Sequence, residues 1–239
     1  MIIQKNDFVE IEFTGKNDEG KVFDSNIKEG LSQIEGADTN NAKPFIFAIG
    51  HDMFLKGIDE FLIGKEAGKD YTINLEAADA FGPRDSKKVK LMPIKMFHEQ
   101  KVNPVPGSMF NFDGQIAKVL SVNGGRVMVD FNNPLAGKDV TYEVKIVRKL
   151  DDMIEKTAAF NEFLFRKKMN FEIKDKKIIL KVEEMLLQFA PMFASKYKEV
   201  LDLDLEVVKE APLQKQGSSP EGVNSDKKGS DEKGNPQVQ

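Results

Sequence analysis

Two segments far apart in the chain share the same alternation of apolar and polar residues. Residues 8–13 (FVEIEF) and residues 139–150 (DVTYEVKIVRKL) both place an apolar side chain at every second position. A period of two indicates a β-strand with one buried face. The stretch between residues 85 and 130 differs in character, with Pro, Met and short strands around an NGG turn. The pattern predicts a β domain into which a second, smaller β module is inserted.

Helical patterns occur in two places. In residues 53–68 the apolar side chains lie three and four apart, and Gly64 and Gly68 act as stop signals. Residues 151–212 combine a helix at 153–168, two strands around an Asp-Lys turn, and a further helical stretch broken at Pro191. The final residues, from about 213, carry almost no apolar side chains and are predicted to be disordered.

Composition excludes several kinds of chemistry. The 239-residue chain has a net charge of -4 with both signs interspersed, which gives no basic field for nucleic acid or an anionic membrane surface. No segment approaches the run of about 20 apolar residues that a membrane helix needs. There are no Cys, only two His, and no phosphate-binding or dinucleotide motif. We therefore expect a cytoplasmic protein that uses no cofactor and no metal ion and binds neither nucleic acid nor membrane.

Phenylalanine is abundant: the chain has 18 Phe and no Trp, and many of the Phe lie in the first module. Such residues build a core, but on a few strands and one helix they would also line an apolar pocket. Asp24 directly follows Phe23 at the end of a predicted hairpin and would be one of the few polar groups of such a pocket.

Five motifs in order resemble the FKBP-type peptidyl-prolyl cis-trans isomerases from residue 5 to about residue 150. They are VEIEFTGKNDEGKVFDSN, KPFIFAIG, FLKGIDEFLIGKEAGKDYTI, DAFG and NPLAGKDVTYEV. The segment after DAFG, which contains MPIKMF and PGSMFNFDGQIAKVLSVNGGRVMVDF, resembles the insert-in-flap domain of the SlyD-like branch. The unit after residue 150 is similar in size to the C-terminal domain of long archaeal members.

The resemblance implies an α+β fold in which a bent antiparallel sheet wraps around the helix at residues 56–62. It divides the chain into a first isomerase segment (1–84), an insert-in-flap chaperone domain (85–130), a second isomerase segment (131–150), a C-terminal α+β domain (151–212) and the tail (213–239).

The resemblance also implies a prolyl pocket between sheet and helix. Carried over by position, the pocket residues are Phe13, Phe23, Asp24, Phe45, Phe54, Leu55, Ile58, Phe81, Leu135 and Tyr142. Phe47 is expected in the core instead. Ile58 stands where the family often has Trp, and Phe13 and Phe81 stand where it usually has Tyr. We therefore expect an unusually apolar pocket in which Tyr142 is the only phenol.

The implied activity is isomerisation of Xaa-Pro bonds, a rotamase reaction with an intrinsic barrier of about 18–20 kcal/mol. The twisted amide has less charge separation than the planar one, so an apolar site binds it more tightly. Asp24 would lie at the rim, near the substrate carbonyl, without acting as a general base; the alternative role for it is to accept turn hydrogen bonds. The alternative for the whole protein is a non-catalytic holdase chaperone or adaptor with a decayed pocket.

Apolar residues of the insert are expected to bind clients, because flexible Met side chains suit surfaces that accept many sequences. The candidates are Leu91, Met92, Ile94, Met96, Phe97, Met109 and Phe110, some of which would instead form the core of the insert. The expected partners are unfolded or nascent polypeptides with prolyl bonds. Apolar faces in residues 151–212 would suit either a homodimer contact or the core of that unit.

Overall fold

The computed structural model describes residues 1–112 and 114–210, so the tail predicted at 213–239 lies outside the described residues. The helices are α1 (Lys28–Leu31), α2 (Lys56–Leu62), α3 (Ile94–Glu99), α4 (Met153–Phe165) and α5 (Ala194–Leu201). The strands are β1 (Phe8–Asn17), β2 (Val22–Ser25), β3 (Phe45–Ala48), β4 (Asp70–Leu75), β5 (Val89–Pro93), β6 (Met109–Phe112), β7 (Gln115–Asn123), β8 (Arg126–Asp130), β9 (Val140–Leu150), β10 (Asn170–Lys174), β11 (Lys177–Val182) and β12 (Asp204–Lys209). The predicted α+β class is confirmed.

Strand β1 is the centre of the first sheet, which has the order β2-β1-β9-β4. One edge of β1 pairs with β3 over residues 8–11 and with β2 over residues 14–16, while the other edge pairs with β9 along the whole strand. Register shifts after Glu10 and after Gly15 mark irregularities that bend a sheet. The alternation that predicted β1 is visible in its buried Val9, Ile11 and Phe13.

Helix α2 lies against β4 of this sheet and buries Ile58 and Leu62. Its Gly57 is required by the packing, because a Cβ there would meet Leu75 Cδ2 at 2.5 Å. Phe47 is fully buried, as expected for a core residue. The sheet and helix therefore enclose one apolar core.

The insert is a separate four-stranded sheet of order β5-β8-β7-β6 with α3 beside it. Its small core is formed by Phe97 and by inward residues of β7 and β8, namely Ala117, Val119, Val127 and Val129. We propose that this sheet corresponds to the insert-in-flap domain expected at residues 85–130.

The residues after 150 form a third sheet, β10-β11-β12, in which β12 runs parallel to β11. Part of its core is shared with the first sheet: Phe160, Ile178 and Tyr197 belong to the same buried cluster, and α4 packs against β3. A second, smaller cluster of Leu180, Val182 and Ala190 belongs to the third sheet alone. Because the shared core includes residues on both sides of residue 150, we keep the domain boundary at that residue as a proposal.

The break predicted at Pro191 is present, but the residues before it form 3-10 turns instead of the regular helix that was expected. Residues Glu184–Leu186 and Ala190–Phe193 form two 3-10 turns, and regular helix begins only at α5. Proline has no backbone N–H to extend a helix, which explains the interruption. Strand β12 was not predicted.

Among the described residues, no helix has the length and apolarity needed to span a membrane.

Candidate functional site

Aromatic rings from four strands and one loop meet against the first sheet. Phe54 lies 4.9 Å from Phe13 and 5.4 Å from Phe45 between ring centroids. Tyr142 of β9 lies 5.8 Å from both Phe54 and Phe23, each edge to face. These tilted and edge-to-face arrangements are the favourable ones for aromatic pairs. The structure thus assembles side chains that are as much as 129 residues apart in sequence into one apolar wall.

Phe81 completes this wall from the loop after β4, with its ring 5.6 Å from Phe23. Leu55 and Ile58 come from the start of α2; Leu55 is partly exposed, whereas Ile58 is fully buried beneath the rings in the same cluster. Leu135 is also partly exposed, but it lies outside this apolar cluster. Seven of the ten residues carried over by resemblance are joined by ring contacts or by a hydrogen bond, and Leu55 and Ile58 belong to the same large apolar core.

Gly15 is a residue of the site that the sequence reasoning missed. A Cβ at this position would lie 2.9 Å from the Tyr142 ring and 3.1 Å from the Phe23 ring, closer than normal contact distances. The absence of a side chain lets both rings lie across β1. A Gly in a strand marks close approach, but only the β1–β9 register, which places Gly15 opposite Tyr142, identifies what approaches.

The site contains one polar pair, formed by Tyr142 and Asp24. The Tyr142 hydroxyl donates to Asp24 Oδ2 over 3.3 Å. Burial raises the pKa of Asp24, an effect that hydrogen bonds from Tyr142 and the Ser25 backbone reduce. Burial, followed by the charge and hydrogen bond of Asp24, raises the pKa of Tyr142. The phenol therefore stays protonated and keeps its hydrogen directed at the carboxylate.

A second buried acid, Asp59 of α2, lies close to the backbone of residues 50–52, which precede Phe54, and the sequence reasoning also missed it. Asp59 of α2 is 3% exposed, and burial raises its pKa to about 6, although backbone N–H groups of residues 50–52 act against this rise. Its Oδ1 has no hydrogen-bond partner. An acid inside a helical pattern resembles any solvent-facing acid, so the sequence gives no sign of its burial.

A depression of about 400 Å³ lies across β1, β4 and β9. Its lining includes the charged and polar residues Glu12, Thr72, Glu143 and Lys145. The lining also includes the apolar residues Phe13, Ile27 and Val144, so the depression is mixed in character. The aromatic wall, with its single polar pair, is the better candidate site for a prolyl ring.

The insert residues expected to bind clients fall on two different faces. Leu91 pairs with Met128 across β5 and β8, and both are exposed, so they share the outer face of the sheet. Met109 and Ile116 are also exposed, at 53% and 59%, while Met96 is exposed on α3. Met92, Ile94 and Phe110 are only partly exposed because they pack against the core of the insert. Ile116 and Met128 were not predicted.

Phe97 is a correction to the expected client-binding set. It is 3% exposed and packs edge to face against Phe110 at 5.7 Å and Phe112 at 5.6 Å. Helix α3 turns this ring toward the sheet, where it is the largest side chain of the small core. Its side chain is therefore not available to a client.

Among the described residues, no group of three or more His, Cys, Asp or Glu side chains is arranged to hold a metal ion. The polar groups of the aromatic site that contact each other are Asp24 and Tyr142. An apolar wall with one carboxylate–phenol pair, on a bent sheet around a short helix, is the candidate functional site of the first sheet.

Comparison with known proteins shows which families the two parts of this fold resemble. Residues 1–98 match the family model of the FKBP-type peptidyl-prolyl cis-trans isomerase, and residues 90–135 match that of the FKBP26 IF domain. Together the two matches extend over residues 1–135. The chain therefore contains an FKBP-type peptidyl-prolyl cis-trans isomerase domain.

Several relatives share this assignment. A short-type peptidyl-prolyl cis-trans isomerase of Methanocaldococcus jannaschii is 29% identical over 146 residues, covering 61% of this chain and 92% of the relative. An FKBP-type 16 kDa isomerase of Escherichia coli K12 is 28% identical over 158 residues, covering 64% and 97%. The isomerase SlyD of Vibrio cholerae is 32% identical over 109 residues, covering 44% and 53%. These alignments cover at most 64% of this chain.

Proposed function

We propose that the chain isomerises Xaa-Pro bonds of unfolded polypeptides at the aromatic wall around Tyr142. The observation that carries this proposal is the meeting of Phe13, Phe23, Phe54 and Tyr142 around a single hydrogen-bonded carboxylate. Isomerisation of a prolyl bond requires no nucleophile. The apolar surface and single polar pair of this site are therefore compatible with the reaction.

The catalytic effect follows from differential binding of two forms of one amide. In the planar ground state, resonance places negative charge on oxygen and shortens the C–N bond; in the twisted transition state this charge separation falls. A wall of Phe side chains interacts better with the less polar form, and this difference lowers the barrier. Asp24, with one oxygen accepting from Tyr142, offers a fixed polar group at the wall that would orient the substrate amide.

A matched pair of Phe variants tests this site. Phe54→Ala removes the ring that contacts Phe13, Phe45 and Tyr142, and we expect kcat/KM for a prolyl tetrapeptide to fall about tenfold or more, a loss of about 1.4 kcal/mol in transition-state stabilisation. Phe61→Ala is the control, since Phe61 is a partly buried α2 residue that packs on Tyr71 instead. Equal kcat/KM in both variants would contradict the proposal.

We propose further that the outer face of the insert, formed by Leu91, Met109, Ile116 and Met128, binds unfolded clients. Exposed apolar side chains on one sheet face support this role because they are available without unfolding the insert. Capture there would raise the local concentration of prolyl bonds near the pocket.

A charge placed on this face tests the client-binding proposal. In Leu91→Lys/Met128→Lys we expect KM to rise for an unfolded protein whose refolding is limited by prolyl isomerisation, with tetrapeptide kcat/KM unchanged. The control is Ile63→Lys, at an exposed apolar residue next to α2 and outside the insert. An unchanged KM for the protein substrate, or equal effects on both substrates, would overturn this role.

The homodimer expected through residues 151–212 remains a proposal. It is supported by Met185 and Met192, which are 81% and 74% exposed, and by the neighbouring exposed Phe189. Light scattering after gel filtration, on the wild type and on Met185→Lys/Met192→Lys, would test it: a monomeric wild type contradicts the dimer.

The cytoplasmic location is likewise a proposal, which cell fractionation would check.

A further inference from the structure

The chain passes between the isomerase sheet and the insert twice, through residues 82–88 and residues 130–137. The two passages are joined at both ends by backbone hydrogen bonds. Gly137 N donates to Gly82 O over 2.8 Å, and Phe131 N donates to Lys88 O over 3.0 Å. Between these two backbone bonds, hydrogen bonds that involve side chains connect the passages.

Asn132 fills the space between the two passages and is buried. Its Oδ1 accepts from Asp85 N over 2.9 Å, and its Nδ2 donates to Asp85 O over 2.9 Å, which mimics a rung between two strands. Nδ2 also donates to Asp130 Oδ1 over 2.6 Å. Both ends of the side-chain amide are thus satisfied, as a buried polar group requires.

An ion pair adds a second connection. Arg84 donates through Nε and Nη2 to Asp130 Oδ2 over 2.9 and 2.6 Å. Burial by itself would raise the pKa of Asp130, but hydrogen bonds from Asn132 and Arg84 outweigh it and lower that pKa. Arg84 and Asn132 therefore use different oxygens of one carboxylate, so that residues of both passages are fixed to a single group.

This cluster lies along the chain between the aromatic wall and the insert. Gly82 follows Phe81 of the aromatic wall, and Phe131 follows Asp130 and packs on Phe112 of the insert at 5.5 Å. A change of angle at Asn132 would therefore move the insert relative to the rim of the pocket.

We propose that Asn132 and Arg84 are positioning residues for the reaction on protein substrates, which hold the insert in one orientation relative to the prolyl pocket. The inference rests on the proposed client-binding role of the insert. A captured chain delivers its prolyl bond at an effective concentration that depends on the geometry of the connection. If the insert is already held in one orientation, less conformational entropy is lost when the prolyl bond of a captured chain enters the pocket.

The absence of Cys from the chain allows a direct test of orientation. Spin labels are attached to Glu60→Cys on α2 and Lys95→Cys on α3, both exposed, in the full chain and in versions that also carry Asn132→Ala or Arg84→Ala. Lys138→Ala is the control, because it breaks a single ion pair, with Asp18, that does not join the two passages. Arg84 is half-exposed, so its variant retains the fold even if Asn132→Ala does not.

We expect a broader distance distribution in both variants than in the wild type and in Lys138→Ala. Without the labels, KM for the unfolded protein should rise about fivefold while kcat and tetrapeptide kcat/KM stay within about twofold, as expected for loss of hydrogen bonds worth about 1 kcal/mol. Unchanged distance distributions would overturn the positioning role. Broader distributions with unchanged KM, or an equal loss on the tetrapeptide, would overturn its link to protein substrates. The variant Leu91→Lys/Met128→Lys separates this result from failure of the client-binding proposal. We expect it to leave the spin-label distance distribution unchanged, and an unchanged KM in that variant would contradict client binding alone.

Discussion

Single side chains determine how polar the pocket is. Phe13 and Phe81 supply rings without hydroxyl groups, so Tyr142 is the phenol that satisfies Asp24. The sequence could nominate Asp24 and Tyr142 through the family resemblance, since both stand in matching motifs. It could not give their contact, because a hydrogen bond between residues 118 positions apart depends on the register of β1 with both β2 and β9.

Removing the phenol hydroxyl tests this pair. Tyr142→Phe keeps the ring and leaves a buried carboxylate without its donor, so we expect tetrapeptide kcat/KM to fall about fivefold, corresponding to about 1 kcal/mol. Tyr71→Phe is the matched control, because the Tyr71 hydroxyl bonds to the Glu66 backbone outside the pocket. Similar rates in the two variants would show that the hydroxyl of Tyr142 has no part in catalysis.

Asp59 leads to a prediction about pH and stability. Because its pKa is raised to about 6 in the folded chain, the folded state binds more protons than the unfolded state between about pH 4 and pH 6. The contribution of Asp59 to stability is therefore largest below this window and is lost as the pH rises through it.

The Asp59→Asn variant, which does not titrate at this position, should lack this dependence. We expect the free energy of unfolding of the wild type, relative to the variant, to fall by up to about 3 kcal/mol between pH 4 and pH 8, the equivalent of about two pKa units. Denaturant unfolding at several pH values measures this difference. A constant difference across the range would mean that the carboxyl titrates normally in the folded chain.

Among the elements, β1 and β9 were the most predictable and the insert the least. Alternation identifies a strand and its buried positions, as in Val9 and Ile11. The assignment of Leu91 and Phe97 to different surfaces needs the pairing of β5 with β8 and the direction of α3. A shift of one residue in register would exchange the faces of a strand, and the sequence of the insert does not determine that register.

The close packing across β1 can be tested at Gly15. In Gly15→Ala the new Cβ would lie within 2.9 Å of the Tyr142 ring, so the rings of Tyr142 and Phe23 must move. We expect a loss of tetrapeptide kcat/KM larger than that of Tyr142→Phe, together with a stability loss of about 1–3 kcal/mol typical of overpacking. A crystal structure of the variant with unmoved rings and full activity would contradict this account.

At the scale of the whole molecule, the third sheet is joined to the first by a common core. Sequence patterns separate residues 151–212 as a unit of their own, because they cannot show which surface its helices cover. The structure places Phe160 of α4 and Tyr197 of α5 edge to face at 5.1 Å within the core that includes β3 and β9 residues. The isomerase sheet and the C-terminal sheet should therefore unfold together.

Phe160→Ala measures this coupling. Loss of a buried Phe typically costs about 3–5 kcal/mol, and we expect one cooperative transition at lower denaturant concentration, with tetrapeptide activity lost in the same transition. Far-ultraviolet circular dichroism and activity are followed on the same samples. Two transitions, with activity surviving the first, would show that the C-terminal sheet unfolds as an independent domain.

The most direct test of the whole account is the cis-trans isomerisation rate of a prolyl tetrapeptide, measured without a coupled protease. We expect the full chain to accelerate the reaction, Asp24→Ala to lower kcat/KM, and Phe81→Tyr to maintain or raise it. No acceleration by the wild-type chain above the uncatalysed rate would contradict the assignment of an active prolyl pocket and would favour a binding-only chaperone.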